Sequence, residues 1–202
     1  MSSGLLDDKK RANALAMEIR RARHDAGEIL AGRVNGVLSE LAMGGITFGI
    51  TFTGLQKVRR DGADDAEFIL TDGSRSGAVG KIASGGELSR LLLALQLSLP
   101  DEWLPPTIIF DEVEAGLGGR AAVLSGLQLK ELSRRCQVIL VTHEASIAAL
   151  GDSHVLIQRV NGESAMKEID GEERVREIAR MLSGSPDMSE AQDHARMLLE
   201  GK

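Results

Sequence analysis

Residues 107–110, Thr-Ile-Ile-Phe, have buried-strand character and pass directly into two adjacent carboxylates, Asp111 and Glu112. A strand apolar on both faces needs cover on both sides, so its first ionisable residues mark where the chain leaves the core, commonly into a ligand crevice. Helical and strand patterns alternate around it. Residues 87–99 read as an apolar helix, 119–133 as a second and 144–150 as a short third, while 137–141 and 154–158 read as further strands. Three short apolar strands separated by helices predict an α/β fold with a parallel sheet and right-handed crossovers. Two amphipathic helices, 172–182 and 189–199, come next, broken at Gly184-Ser-Pro186.

The region before this alternation is patterned differently. Between about Asp8 and Met43 the apolar residues Leu15, Ile19, Ala22, Ala26 and Ile29 step by four and three, the spacing of a coiled-coil seam. Val34, Val37 and Leu41 carry the stripe onward in a shifted phase. Small residues fill several seam positions, so a helix of this kind needs a partner. Gly44-Gly45 stops it, and Ile46, Phe48, Ile50 and Phe52 then alternate as a half-buried strand, with residues 67–71 as its antiparallel partner. The connection contains the turn pair Asp61-Gly62, and a Gly- and Ser-rich loop over 72–80 leads onward.

Composition narrows the class. The 202 residues are 43% hydrophobic and 27% charged, enough for one sizeable core or a domain with an extension. No apolar run approaches the roughly 18 residues of a membrane span, and Met1-Ser-Ser-Gly leads into charge rather than a secretory apolar stretch. A single cysteine, Cys136, excludes an internal disulfide and fits a reducing compartment, so a cytoplasmic setting is expected. The net charge of −6 and an aromatic content of 2% argue against a broad nucleic-acid footprint or base-stacking platforms. The clusters Arg20-Arg21-Ala22-Arg23 and Arg59-Arg60 read as solvated charge.

Three motifs carry chemistry. Ser84-Gly85-Gly86-Glu87 opens a helix: Ser84 as N-cap with Glu87 three residues on makes a capping box. That box leaves two consecutive glycines unexplained, whereas bare N–H groups and a serine hydroxyl at a helix start also suit phosphate oxygens. Both readings stay open on the residues alone. Asp111 and Glu112 suit nucleotide hydrolysis, one carboxylate holding Mg2+ through water and the other deprotonating the attacking water. His143 ends Val138-Ile-Leu-Val-Thr142 at the place Asp111 occupies on its own strand, where an imidazole can bond a terminal phosphate.

In this order the residues resemble the C-terminal part of an ABC-type ATPase head. Ser84 to Glu87 is similar to the signature motif, Thr107 to Glu112 to Walker B with its catalytic glutamate, Glu114 to Gly119 to the D-loop, and His143 to the switch histidine. The runs Ala-Ser-Gly-Gly-Glu-Leu-Ser-Arg90, Phe-Asp-Glu-Val-Glu-Ala-Gly-Leu-Gly-Gly119, Val-Thr-His143 and Glu-Ile-Ala-Arg-Met-Leu-Ser-Gly184 resemble the RecN family of bacterial SMC-like DNA-repair proteins. Departures are Glu114 where that family suggests Asp, Glu144-Ala-Ser146 where Leu-Pro-Gln is usual, and Asp72-Gly-Ser74 in place of Asn-Pro-Gly. No Gly-x-x-x-x-Gly-Lys-[Ser/Thr] occurs: at Gly80-Lys81, Arg75 replaces the first glycine and Ile82 the hydroxyl.

The resemblance therefore implies the C-terminal lobe of an ABC/SMC-type head, with residues 1–43 as a returning coiled-coil helix and 44–202 as the lobe. It implies ATP and Mg2+ as ligands, with Asp111 holding the metal through water, Glu112 and His143 catalytic, and Ser84, Gly85, Gly86 and Glu87 contacting ATP across a dimer of heads. It further implies an N-terminal RecN half carrying Walker A, a second head, DNA bound through the intact assembly, no membrane, and a nucleoid-associated place in the cytoplasm. The isolated chain is expected to be inactive. The alternatives are a non-catalytic ABC-like interaction module and another SMC-like relative such as RecF or SbcC.

Overall fold

The computed structural model describes residues 2–160 and 162–201 and divides into two compact units, 1–99 and 100–202. The first unit opens with helix α1 (Ser2–Glu40), followed by the strands β1 (Ile46–Arg59), β2 (Gly62–Asp72) and β3 (Arg75–Ala78), which form one antiparallel sheet in that order. Phe48 pairs with Leu70 and Ile50 with Phe68, so the antiparallel partner expected over 67–71 is in place. The expected loop over 72–80 is instead largely structured: β3 pairs with β2 and runs into a one-turn helix, α2 (Val79–Ile82). Helix α3 (Gly85–Ser98) completes the unit.

Helix α1 packs on β1, β2 and α3. The face it turns inward carries Ala16, Gly27, Val34 and Leu38, and Leu41 just past its end continues that face, all buried. A Cβ on Gly27 would come within 3.1 Å of the Phe52 ring, so the missing side chain is what lets helix and sheet approach. The predicted seam of Leu15, Ile19, Ala22, Ala26 and Ile29 is exposed, standing roughly 100° around the helix from the buried face at 3.6 residues per turn. Val34 and Leu41, expected to prolong that seam, belong to the inward face. The helix thus has two apolar sides, and its own domain covers one.

Polar groups lock this packing. The Asn35 amide donates to the Phe48 carbonyl at 2.9 Å and accepts from the Phe48 N–H at 2.8 Å, presenting to the free edge of β1 the donor and acceptor that a strand would present. Arg20 Nε donates to the buried Asp64 at 2.8 Å, and Arg23 donates to the Asp61 carbonyl at 2.6 Å, tying the helix to the β1–β2 turn. The Arg20 guanidinium holds the Asp64 carboxyl below its usual range. Arg59 pairs with Asp65. Arg20, Arg23 and Arg59 therefore serve the internal structure.

The second unit contains the parallel strands β4 (Thr107–Asp111) and β5 (Gln137–Val141) and the helices α4 (Arg120–Leu132) and α5 (Ala145–Ala148). After them come β6 (His154–Val160), β7 (Glu163–Ile169), α6 (Gly171–Ser183) and α7 (Ser189–Glu200). The third strand of the predicted parallel sheet requires correction. Residues 154–160 form no ladder with β5; they pair antiparallel with β7 in a separate hairpin, because an adjacent strand on a short turn meets its partner at far lower loop-closure cost. Ala145, Ala149, Val175, Ile178, Ala179, Ala191 and Ala195 make the core that joins α5, α6 and α7.

Cover on the β4–β5 pair is one-sided. Ile108 and Phe110 are buried, while Ile109 is 66% exposed, Ile139 45% and Val141 51%. Among the described residues no helix is long and apolar enough to cross a membrane.

Candidate functional site

Parallel pairing sets the geometry. Asp111 ends β4 directly opposite Val141, which ends β5, so the loops leaving the two strands emerge at the same edge of the pair. The Glu112 N–H donates to the Val141 carbonyl at 3.2 Å, extending the ladder by one bond. Glu112 then adopts φ of 48°, a left-handed conformation that costs a non-glycine residue about 1–2 kcal/mol. The chain reverses there, with the Ala115 N–H on the Glu112 carbonyl at 3.0 Å and the Leu117 N–H on the Glu114 carbonyl at 2.8 Å. Strain of this kind is found where a side chain must be aimed. Asp111 and Glu112 are exposed.

Two residues beyond β5 stands His143, at the same carboxyl edge as the acid pair. The loop after β4 reaches it through Glu114, which is 3% exposed. The Thr142 hydroxyl donates to Glu114 Oε1, and the His143 N–H donates to the same oxygen at 3.2 Å. The His143 Nδ1 lies 3.6 Å from that oxygen, while the imidazole itself is 75% exposed. Thr142 in turn accepts from the Glu144 N–H at 3.0 Å. The inward turn of Glu114 escapes sequence reading, because its partners lie 28 and 29 residues away.

Ser84, Gly85, Gly86 and Glu87 lie in the other compact unit, at the start of α3. The predicted capping box is present: Glu87 Oε2 accepts from the Ser84 N–H and the Ser84 hydroxyl, both at 2.8 Å, and the Glu87 N–H points to Ser84 Oγ at 3.4 Å. These bonds, the backbone N–H first, pull the Glu87 carboxyl below its usual pKa. A Cβ on Gly85 would meet nothing within 4 Å, so packing inside this chain does not demand glycine there.

As a metal site, the acid pair is open. Among the described residues no group of three or more His, Cys, Asp or Glu could cage an ion. Mg2+ commonly keeps several of its waters, and an exposed carboxylate such as Asp111 can hold the ion through one of them.

No family model matches the chain. DNA repair protein RecN of Streptomyces coelicolor is 40% identical over 204 residues, covering 92% of this chain and 36% of that protein. DNA repair protein RecN of Mycobacterium leprae is 36% identical over 216 residues, covering 95% of this chain and 37% of that protein. The chain thus spans little more than a third of the length of these curated relatives. Among solved structures, the Smc head domain with a coiled coil and joint from Pyrococcus yayanosii superposes with a TM-score of 0.56 at 19% identity, over 86% of this chain and 29% of that one. That likeness is one of fold.

Proposed function

We infer, from a chain that is RecN-like along 92% of its length, that it supplies part of an ATP-hydrolysing head acting in DNA double-strand-break repair and recombination. The observation carrying this reading is the shared carboxyl edge of β4 and β5, where Asp111, Glu112 and His143 stand together on adjacent parallel strands. Ligands of α/β sheets collect at such edges.

Each residue has a role in the proposal. Asp111 holds a water of the Mg2+ shell, and Glu112, aimed outward by its left-handed backbone, orients the attacking water and accepts its proton. His143 donates to an oxygen of the terminal phosphoryl group. Mg2+, when bound, neutralises charge on the phosphate oxygens. Ser84 and the N–H groups of Gly85, Gly86 and Glu87 face the nucleotide of an opposing head, which gives the unexplained glycine a reason: a phosphate must approach the main chain closely.

The partner that completes the head is an N-terminal RecN half bearing Walker A. Two uncovered surfaces support this: the Ile109, Ile139 and Val141 face of the parallel pair, and the Leu15 to Ile29 stripe of α1. Residues 1–43 serve as one strand of a coiled coil and 44–202 as the lobe; two heads engage around ATP, DNA is held by the assembly, and the setting is the nucleoid in the cytoplasm. Mixing this chain with an N-terminal RecN half should produce Mg2+-dependent ATP hydrolysis, and Glu112→Gln should stop turnover while leaving binding intact. Hydrolysis unaffected by Glu112→Gln would remove Glu112 from the mechanism, and robust turnover by this chain alone would overturn the division of labour.

A further inference from the structure

We propose that Glu114 is a positioning residue that sets the tautomer and the aim of the His143 imidazole; the role of that imidazole toward phosphate rests on the function inferred above. Five observations converge. Glu114 is buried, its Oε1 fixes the His143 backbone through the N–H at 3.2 Å, and that oxygen is itself fixed by the Thr142 hydroxyl. The ring's Nδ1 stands 3.6 Å from the same oxygen, slightly beyond hydrogen-bond length. The second carboxylate oxygen, Oε2, is buried without a hydrogen-bond partner among the described residues. A buried carboxylate with an unmet oxygen is stabilised by a further donor beside it, and Nδ1 is beside Oε1.

The two ring nitrogens respond differently to that carboxylate. A carboxylate beside Nδ1 selects the Nδ1–H form, because the other neutral tautomer would set a lone pair against the carboxylate oxygen. Nε2 then points away from Glu114. Donation from Nε2 to a phosphoryl oxygen then requires the second ring proton, on the side of the ring turned away from Glu114. Carboxylate partners fix imidazole tautomers in this way in other catalytic settings. Because Glu114 belongs to the turn that begins at Glu112, whatever shifts that turn also shifts the imidazole.

The test needs no nucleotide and no second chain. Nitrogen-15 NMR of the histidine rings in this chain, above the pH at which they titrate, distinguishes Nδ1–H from Nε2–H directly. His143→Gln assigns the resonance, and the exposed His194 ring is the internal control. His143 should be mainly Nδ1–H, and Glu114→Gln, which keeps shape and removes charge, should lower its Nδ1–H to Nε2–H ratio at least threefold while His194 does not move. Thr142→Val, which unfastens Glu114 and retains its charge, should lower the ratio by a smaller factor. A wild-type His143 that is mainly Nε2–H, or a ratio unchanged in Glu114→Gln, overturns the proposal whether or not the reconstituted ATPase works. Failure of that ATPase with the tautomer shift intact would instead count against the functional reading alone.

Discussion

Replacing Ile109 with lysine separates the stability of this chain from its capacity to be completed. Strand alternation places Ile108 and Phe110 against the core and Ile109 on the opposite face, and their exposures are 7%, 1% and 66%. Full burial of an isoleucine is worth about 1.5–3 kcal/mol, so at two-thirds exposure about 1–2 kcal/mol remains to be gained when a partner covers the face. Lysine forfeits that gain and adds the cost of desolvating or neutralising an ammonium, for a combined loss of about 3–5 kcal/mol, or about 10²–10⁴ in affinity. The chain itself has little to lose, since an exposed substitution of this kind changes stability by about 0.5 kcal/mol. Urea unfolding of Ile109→Lys should therefore nearly overlay the wild type, while calorimetric titration with an N-terminal RecN half shows binding weakened by at least a hundredfold. The one-residue shift is the control: Ile108→Lys should not fold. Binding of Ile109→Lys within threefold of wild type would show that the bare face is not where the partner sits.

Single groups give further outcomes. Ser84→Ala removes the cap of α3 and should cost about 1 kcal/mol in urea unfolding. The folded Glu87 carboxyl has a depressed pKa, so its contribution is complete above the ordinary carboxylate range and lost as pH falls through the folded value; Ser84→Ala removes the hydroxyl and keeps the stronger backbone N–H bond, so it should make that acid limb of stability against pH shallower without abolishing it. Ser125 is fully buried in α4 and its hydroxyl has no hydrogen-bond partner among the described residues, so Ser125→Ala should raise stability by about 1 kcal/mol, read as an upward shift in melting temperature. Arg174 donates to the carbonyls of Ala148, Ala149 and Gly151 at 3.2, 3.2 and 2.7 Å, so Arg174→Met should cost about 2–4 kcal/mol by stranding the carbonyls after α5. Amide hydrogen exchange should then quicken around 145–151.

Local patterning carried a great deal. The 3.6-residue and two-residue periods, the capping pair Ser84 and Glu87, and the Gly44-Gly45 and Gly184 stops are properties of neighbouring residues. The longer helices, the β1–β2 ladder and the paired β4 and β5 were accordingly legible from the chain alone, whereas β3 and α2 were not. Gly184 takes φ of 80° at the end of α6, which only glycine adopts without cost. Placement of Asp111 and His143 at one edge was equally readable, because parallel strands must run out on the same side.

Partner choice was not readable in this way. Strand 154–160 has the apolar content of a parallel core strand, but β7, whose Glu163-Ser-Ala-Met-Lys-Glu-Ile169 has little apolar content, lies a short turn away and claims it. Helix α1 carries two apolar stripes, and sequence spacing cannot say which one meets the sheet; Gly27 against Phe52 decides it by allowing the closer approach. The inward turn of Glu114 is likewise decided by tertiary structure, since its partners Thr142 and His143 come from a loop 28 residues on. Periodicity acts between adjacent turns and alternate residues, so sequence determined which elements form and which residues end them. Only the folded chain, in which burial and hydrogen bonding join distant segments, decided which faces are covered and what the buried carboxylate holds.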